Sequence, residues 1–202
     1  MTATIARPFN QKIRILALRL AFLGLLPLTL FTRPVVSGGA ADLLETAGIL
    51  AILLAVLGRF WAILYIGGRK NRTLLREGPY SICRHPLYLF STIGATGFGL
   101  MLESVTLAAV MGGTAFVILS LTASREERFL RAAFAGYADY AREVPRMLPA
   151  LRLFHTPARL TVDTGTLAGN AADALVFATL IPLAELLRWV GAMDVLPTVA
   201  LF

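Results

Sequence analysis

Long uncharged blocks alternate with short basic ones along this chain. The apolar blocks cover about 15–32, 43–66, 86–102, 104–124 and 171–190. Each can cross roughly 30 Å of hydrocarbon as a helix. Only Glu103 divides the third block from the fourth, which predicts two antiparallel helices joined by a tight turn. Gly94, Gly97 and Gly99 give the first of that pair a small-residue face for close helix approach. After Ser124 the pattern turns amphipathic, with Phe129, Ala133, Tyr137 and Tyr140 along one side of a helix that ends before Val144-Pro145. Ser124-Arg125-Glu126-Glu127 has the form of a capping box opening that helix. The last block is the weakest: Asp173 opens it, Pro182 interrupts it, and Glu185 and Arg188 lie one turn apart. The expectation is an all-α, polytopic membrane bundle of about five transmembrane helices plus a cytosolic amphipathic helix. Residues 1–202 form a single membrane domain, with polar loops over 67–85 and 125–150.

Composition supports this pattern. Hydrophobic residues make up 57% of the chain and charged ones 15%, with a mean hydropathy of +0.72; soluble domains carry roughly 25% charged residues. The net charge is +7. Its basic residues cluster between apolar blocks, which points to membrane orientation and anionic lipid rather than nucleic acid. With Cys83 as the one cysteine and two histidines, an intrachain disulfide is excluded and no ligand-spaced metal motif is present. The first block is read as an uncleaved helix, with Arg14 and Arg19 snorkelling to the surface; a signal peptide cleaved near Ser37-Gly38-Gly39-Ala40 is the alternative. Arg7, Lys12 and Arg14, then Arg69, Lys70, Arg72, Arg76 and Arg84, then the arginines of 125–159 fall on one side of a five-span topology. Arg33 and Arg188 fall on the other. The positive-inside rule therefore predicts a cytoplasmic N-terminus and a cytoplasmic face for both polar loops.

Two polar clusters are candidates for chemistry. Arg84-His85-Pro86 opens the third block, where proline suits a first helical turn and the first-turn amides favour an anion. Tyr88 lies one turn on. The same residues also read as a basic membrane-entry sequence. Glu126-Glu127 is either the capping box or a diacid that binds an ammonium group or ribose hydroxyls. Arg59, inside the second block, either snorkels or contacts an anionic group.

Gly78-Pro79-Tyr80 and Arg84-His85-Pro86-Leu87-Tyr88 resemble the signature of the isoprenylcysteine carboxyl methyltransferase and phospholipid methyltransferase superfamily. Glu126-Glu127-Arg128-Phe129-Leu130, then Phe134, Gly136, Tyr137, Tyr140, Val144-Pro145-Arg146 and Leu148-Pro149, continue that pattern in order. One departure is Phe90, where the family commonly has glycine. The resemblance implies a membrane methyltransferase that binds S-adenosylmethionine at the cytosolic face and takes a lipid or other amphiphilic acceptor from the bilayer. It implies that Arg84, His85, Tyr88, Glu126 and Glu127 bind the cofactor. Arg59, Arg146, Tyr137 and Tyr140 then meet the substrate, and Glu127, Arg146 and Arg59 are the catalytic candidates. Glu127 is the expected base where the acceptor is a protonated amine. Two alternatives compete. Sterol-type reductases using NADPH share an arginine-histidine-proline signature, although Leu87 stands where they carry asparagine. A non-enzymatic scaffold needs only the anchoring and capping readings.

Overall fold

The computed structural model describes residues 11–33, 36–68, 73–162, 164–193 and 199–200; Arg7, Arg69, Lys70 and Arg72 lie outside them. Eight α-helices order the described chain: α1 (Gln11–Phe31), α2 (Gly39–Ile66), the single turn α3 (Pro79–Ile82), α4 (Pro86–Met101), α5 (Val105–Ala133), α6 (Tyr137–Glu143), α7 (Thr164–Leu175) and α8 (Leu180–Ala192). Short 3-10 turns occupy Leu151–Leu153 and Val176–Thr179, and Thr32–Arg33 pairs in parallel with Val199–Ala200. The fold is an all-α helix bundle.

Four helical stretches are apolar and long enough to cross a membrane: Lys12–Phe31, Gly39–Ile66, Val105–Ala133 and Leu167–Ala192, the last running through the Val176–Thr179 turn. They make this a membrane protein. The third expected span is α4, whose 16 residues reach only about 24 Å. The loop before α4 is packed against protein: Pro79, Ser81, Cys83 and Pro86 are all fully buried, and irregular backbone beside a membrane helix is tolerated when protein buries it.

The tight turn is as expected. Ser104 caps α5 by accepting from the Leu107 N–H at 3.1 Å, and Glu103 takes the left-handed conformation with φ 56°. α4 then lies between α2 and α5. A Cβ on Gly48 would come within 2.6 Å of both the Gly97 oxygen and the Met101 nitrogen, so backbone meets backbone where α2 crosses α4. Gly97 faces α2, Gly99 faces α5, and Gly94 makes room for the Phe177 ring beside Ala55 of α2, so the three glycines serve separate contacts rather than one face. Ile52, Phe98, Met101, Leu107 and Met111 form the core around these crossings, joined by Ala184 of α8. Leu53, Leu54 and Leu57 of α2 and Phe116, Val117 and Leu121 of α5 point outwards, which suits lipid. Phe90 finds its space at Gly58, where any side chain would overlap its ring.

Three expectations change. Ser124 does not begin a helix. It lies within α5, donating to the Ser120 carbonyl at 3.0 Å, and α5 runs unbroken from Val105 to Ala133. No proline or glycine lies between Ser120 and Ala133, and Arg, Glu, Leu and Ala all favour helix, so a capping pattern there has no helix end to cap. The amphipathic stretch beyond is not continuous with it, because Phe134–Gly136 breaks the helix before α6. Pro182 interrupts nothing: it sits in the first turn of α8, where the missing N–H costs little, and the break comes earlier at Val176–Thr179.

Candidate functional site

The segment before α4 is built by pairing with the chain that follows α6. The Arg84 N–H donates to the Pro145 carbonyl at 2.9 Å, the His85 N–H to Arg146 at 3.1 Å and the Ala150 N–H to Ile82 at 2.9 Å. Farther along, Gly78 donates to His155 at 2.8 Å, and the Ser81 hydroxyl accepts from the His155 N–H at 3.1 Å. Gly78 turns with φ +58°, and the Tyr65 ring fills the place its side chain would take, so glycine is required there twice over. Tyr140 adds a tether, donating its hydroxyl to the Tyr80 carbonyl at 2.7 Å. This pairing carries Arg146 onto the last two turns of α5.

Glu127 is the centre of what results. Its carboxylate is 4% exposed and meets basic side chains from three directions. Arg146 grips it bidentately, Nε to Oε1 at 3.1 Å and Nη2 to Oε2 at 2.8 Å. Arg84 Nη1 stands 3.0 Å from Oε1, and His85 Nε2 lies 3.3 Å from the same oxygen. The other face of the histidine ring system is Glu126, 3.8 Å from Nδ1. Neighbouring glutamates on one helix thus point about 100° apart and embrace His85 between them. The imidazole also stacks on Tyr88, with ring centroids 5.3 Å apart and planes within 3°.

All five expected cofactor residues, Arg84, His85, Tyr88, Glu126 and Glu127, therefore meet with Arg146 in one cluster. Arg59 stands apart from it: it donates to Ser91 Oγ at 2.7 Å and, more weakly, to the Leu87 and Asp173 carbonyls, with its guanidinium 4.9 Å from the Phe177 ring centre. It is turned into the bundle rather than snorkelling. Tyr137 packs behind Arg84 and Glu127, 1% exposed, in edge contact with Tyr140. Tyr140 has committed its hydroxyl to Tyr80 and sits under Arg76, which makes it a packing tether.

Two participants were not foreseen. Arg14 of α1 donates to the Tyr88 hydroxyl at 2.7 Å and lies 3.8 Å from Glu126, so the first helix closes one side of the cluster. Ser124 receives Arg146 Nη1 at 3.0 Å and so orients the guanidinium. The i, i+3 spacing of Ser124 and Glu127 was visible as a capping box, but its use is lateral.

Burial decides which groups are reactive. Cys83 is 1% exposed. Burial pushes its thiol up to about 11, and the His85 backbone bond and the Arg84 charge offset only part of that. The thiol stays protonated at neutral pH, aimed at the carbonyls of Arg146 and Met147, and supplies no thiolate nucleophile. Burial likewise pushes the Tyr137 hydroxyl up to about 12, with the Glu127 charge adding to it. Among the described residues, Arg84 Nε and Nη1 and the Tyr137 hydroxyl are buried without a hydrogen-bond partner. The Nη1 contact with Glu127 is a charge contact that lacks hydrogen-bond geometry. Buried donors are normally satisfied, so this set suits a bound oxyanion such as a carboxylate. Among the described residues no three His, Cys, Asp or Glu side chains are grouped to hold a metal ion.

Comparison with known proteins bears on the same stretch. The phospholipid methyltransferase family pattern matches residues 43–136, from α2 to the break before α6. The chain is 42% identical over 137 residues to the cobalt-zinc-cadmium resistance protein CzcN of Cupriavidus metallidurans, covering 68% of this chain and 63% of that one. It is 36% identical over 160 residues to the nickel-cobalt-cadmium resistance protein NccN of Alcaligenes xylosoxydans xylosoxydans, covering 76% of this chain and 75% of that one. The first match thus spans less than two thirds of its relative's length. No solved structure matches. With the family pattern lying across the helices that carry Arg84, His85, Tyr88, Glu126 and Glu127, this chain belongs to the phospholipid methyltransferase family.

Proposed function

We propose that this protein is an S-adenosylmethionine-dependent methyltransferase acting on a lipid or other amphiphile at the membrane surface. One observation carries the reading. At the end of a membrane bundle, buried unpartnered donors on Arg84 and Tyr137 adjoin two glutamates that a single histidine bridges. The chemistry of this set fits a cofactor that has a carboxylate, an ammonium group and ribose hydroxyls. Arg84 and Tyr137 would hold the carboxylate, and Glu126, still 23% exposed, the ammonium or a ribose hydroxyl. His85 and Tyr88 give a stacked platform beside them. The cofactor, when bound, supplies an electrophilic methyl group on a sulfonium.

The protein's own part is positioning and exclusion of water, which can account for much of the rate of an in-line transfer. Glu127 has both oxygens engaged by cations, so we assign it to positioning. Where the acceptor is an amine, the proton goes to Glu126, whose charge contacts at 3.8 Å are longer and looser. A carboxylate acceptor needs no base. The bias of basic residues towards the loops flanking this end supports a cytoplasmic site. The two relatives are named for metal resistance. We carry that role to this chain as an indirect one, exerted through a methylated membrane constituent.

Calorimetry on the purified protein tests the reading. S-adenosylmethionine and S-adenosylhomocysteine are expected to bind, and NADPH is not. Binding of NADPH alone would establish the reductase alternative, and binding of none would leave the scaffold.

A further inference from the structure

Glu127 has both oxygens committed to Arg84, His85 and Arg146. The Glu126 carboxylate and the Tyr88 hydroxyl are instead both met by one residue from another helix, Arg14 of α1. Its Nη1 donates to the Tyr88 hydroxyl at 2.7 Å and lies 3.8 Å from Glu126 Oε1. The guanidinium carbon is also 5.3 Å from the centre of the Tyr88 ring, within range of a cation–π contact. A carboxylate, a hydroxyl oxygen and an aromatic ring around one cation would recognise a primary ammonium equally well. Arg14 therefore occupies a cation position at the edge of the cluster.

It is held there loosely. The separation from Glu126 is beyond hydrogen-bond reach, and the two side chains are 19% and 23% exposed. None of residues 12–31 is buried, whereas α2, α4 and α5 each bury a full face. Phe22, Leu25 and Leu28 rest α1 on the core, and Leu18, one turn beyond Arg14, packs on the group containing Tyr88. Arg14 lies in the first turn of α1. Its long side chain can turn out to the headgroups while those contacts hold the helix in place. The family pattern begins at residue 43, so this latch belongs to a helix outside the matched stretch.

We propose that Arg14 is a built-in competitor of the cofactor: it fills the place of the cofactor's ammonium on Glu126 and Tyr88, and it must turn away before the ammonium can bind. The inference rests on the methyltransferase reading and adds to it a regulation of the same site by α1. With the site empty, Arg14 offsets the Glu126 charge and bonds the Tyr88 hydroxyl. With the cofactor bound, the ammonium does both. Arg14 thus lowers the affinity of every ligand that carries the ammonium and leaves others alone.

The test is calorimetry of the purified full chain in neutral maltoside detergent. The two probes are S-adenosylhomocysteine and methylthioadenosine, which lacks the amino-acid end. Removing a competitor tightens binding, the opposite of what loss of a cofactor contact or a structural strut would do. Arg14→Gln is expected to bind S-adenosylhomocysteine roughly three- to tenfold tighter than wild type, the range set by one exposed charge contact and one hydrogen bond. Its affinity for methylthioadenosine should stay within about twofold. Arg14→Met, which keeps the apolar stem, carries the same expectation should the glutamine variant fail to fold. Arg14→Lys keeps a cation and should remain nearer wild type. Equal or weaker S-adenosylhomocysteine binding by the folded variants overturns the proposal and leaves the methyltransferase reading standing. An equal gain for methylthioadenosine would mark Arg14 as a steric cover rather than a competing cation, and overturns it too. No S-adenosylhomocysteine binding by wild type or variants refutes the methyltransferase reading and this inference with it.

Discussion

Glu127→Gln is expected to be the most damaging conservative change in the protein. The substitution keeps the side chain's shape and removes its charge. Arg84, Arg146 and His85 then face one another around a neutral amide, with Arg84 only 11% exposed. Removing one partner from a buried ion cluster typically costs about 3–5 kcal/mol, because the remaining charge stays buried without compensation. Arg146 would also lose its bidentate partner and keep only Ser124. Since the Arg146 backbone pairs with His85, movement there shifts the loop that carries Arg84. We expect a lowered unfolding temperature and at least about a tenfold loss of S-adenosylhomocysteine affinity. Glu126→Gln, next to it but 23% exposed and in looser charge contacts, should alter stability by less than about 1 kcal/mol. Thermal unfolding in detergent, followed by calorimetry on whichever variants remain folded, measures both. Equal melting of Glu127→Gln and wild type would show that the cluster is not held together through Glu127.

The second large effect lies at the other end of the same helices. Gly48→Val places a branched side chain where 2.6 Å now separates a Cβ position from the backbone of Gly97 and Met101. Backbone atoms cannot rotate away, so α2 and α4 must separate and loosen the packing of Ile52, Phe98 and Met101. Overpacking of this kind costs typically about 1–3 kcal/mol, and in lipid the lost contact is itself the force holding the helices together. Gly113→Val is the control. Nothing lies within 4 Å of its Cβ position, and a change of within about 0.5 kcal/mol is expected there. Because α4 begins at Pro86, Gly48→Val should also impair cofactor binding, although Gly48 touches no residue of the site. Urea or thermal unfolding of both variants decides it.

How much of this was legible in the amino-acid sequence depends on the range of the interaction involved. The helix edges at Ile66, Pro86 and Glu103 were readable, because each coincides with a local change from apolar to polar residues or with proline. Motif spacing picked out Arg84, His85, Tyr88, Glu126, Glu127 and Arg146 as candidates, and the fold brings all six together. What was not readable is lateral. Nothing local to Ser124 says that its hydroxyl serves Arg146, 22 residues on. Nothing local to Arg14 says that it leaves the snorkelling position to reach Tyr88, 74 residues away. The capping-box reading failed for a related reason: the pattern is informative only where a helix begins, and α5 was already under way. Phe90 departs from the family's usual glycine, and nothing local to it says that its space is provided by Gly58 on a neighbouring helix. Such compensations connect residues by geometry rather than by spacing.

The central claim is that the Glu127 cluster transfers a methyl group to a constituent of the membrane. The most direct test incubates the purified protein with methyl-labelled S-adenosylmethionine and total membrane lipid, then partitions the products into organic solvent. The account predicts label in the organic phase with wild type and background counts with Glu127→Gln. Background counts with both proteins, or equal label with both, would contradict it.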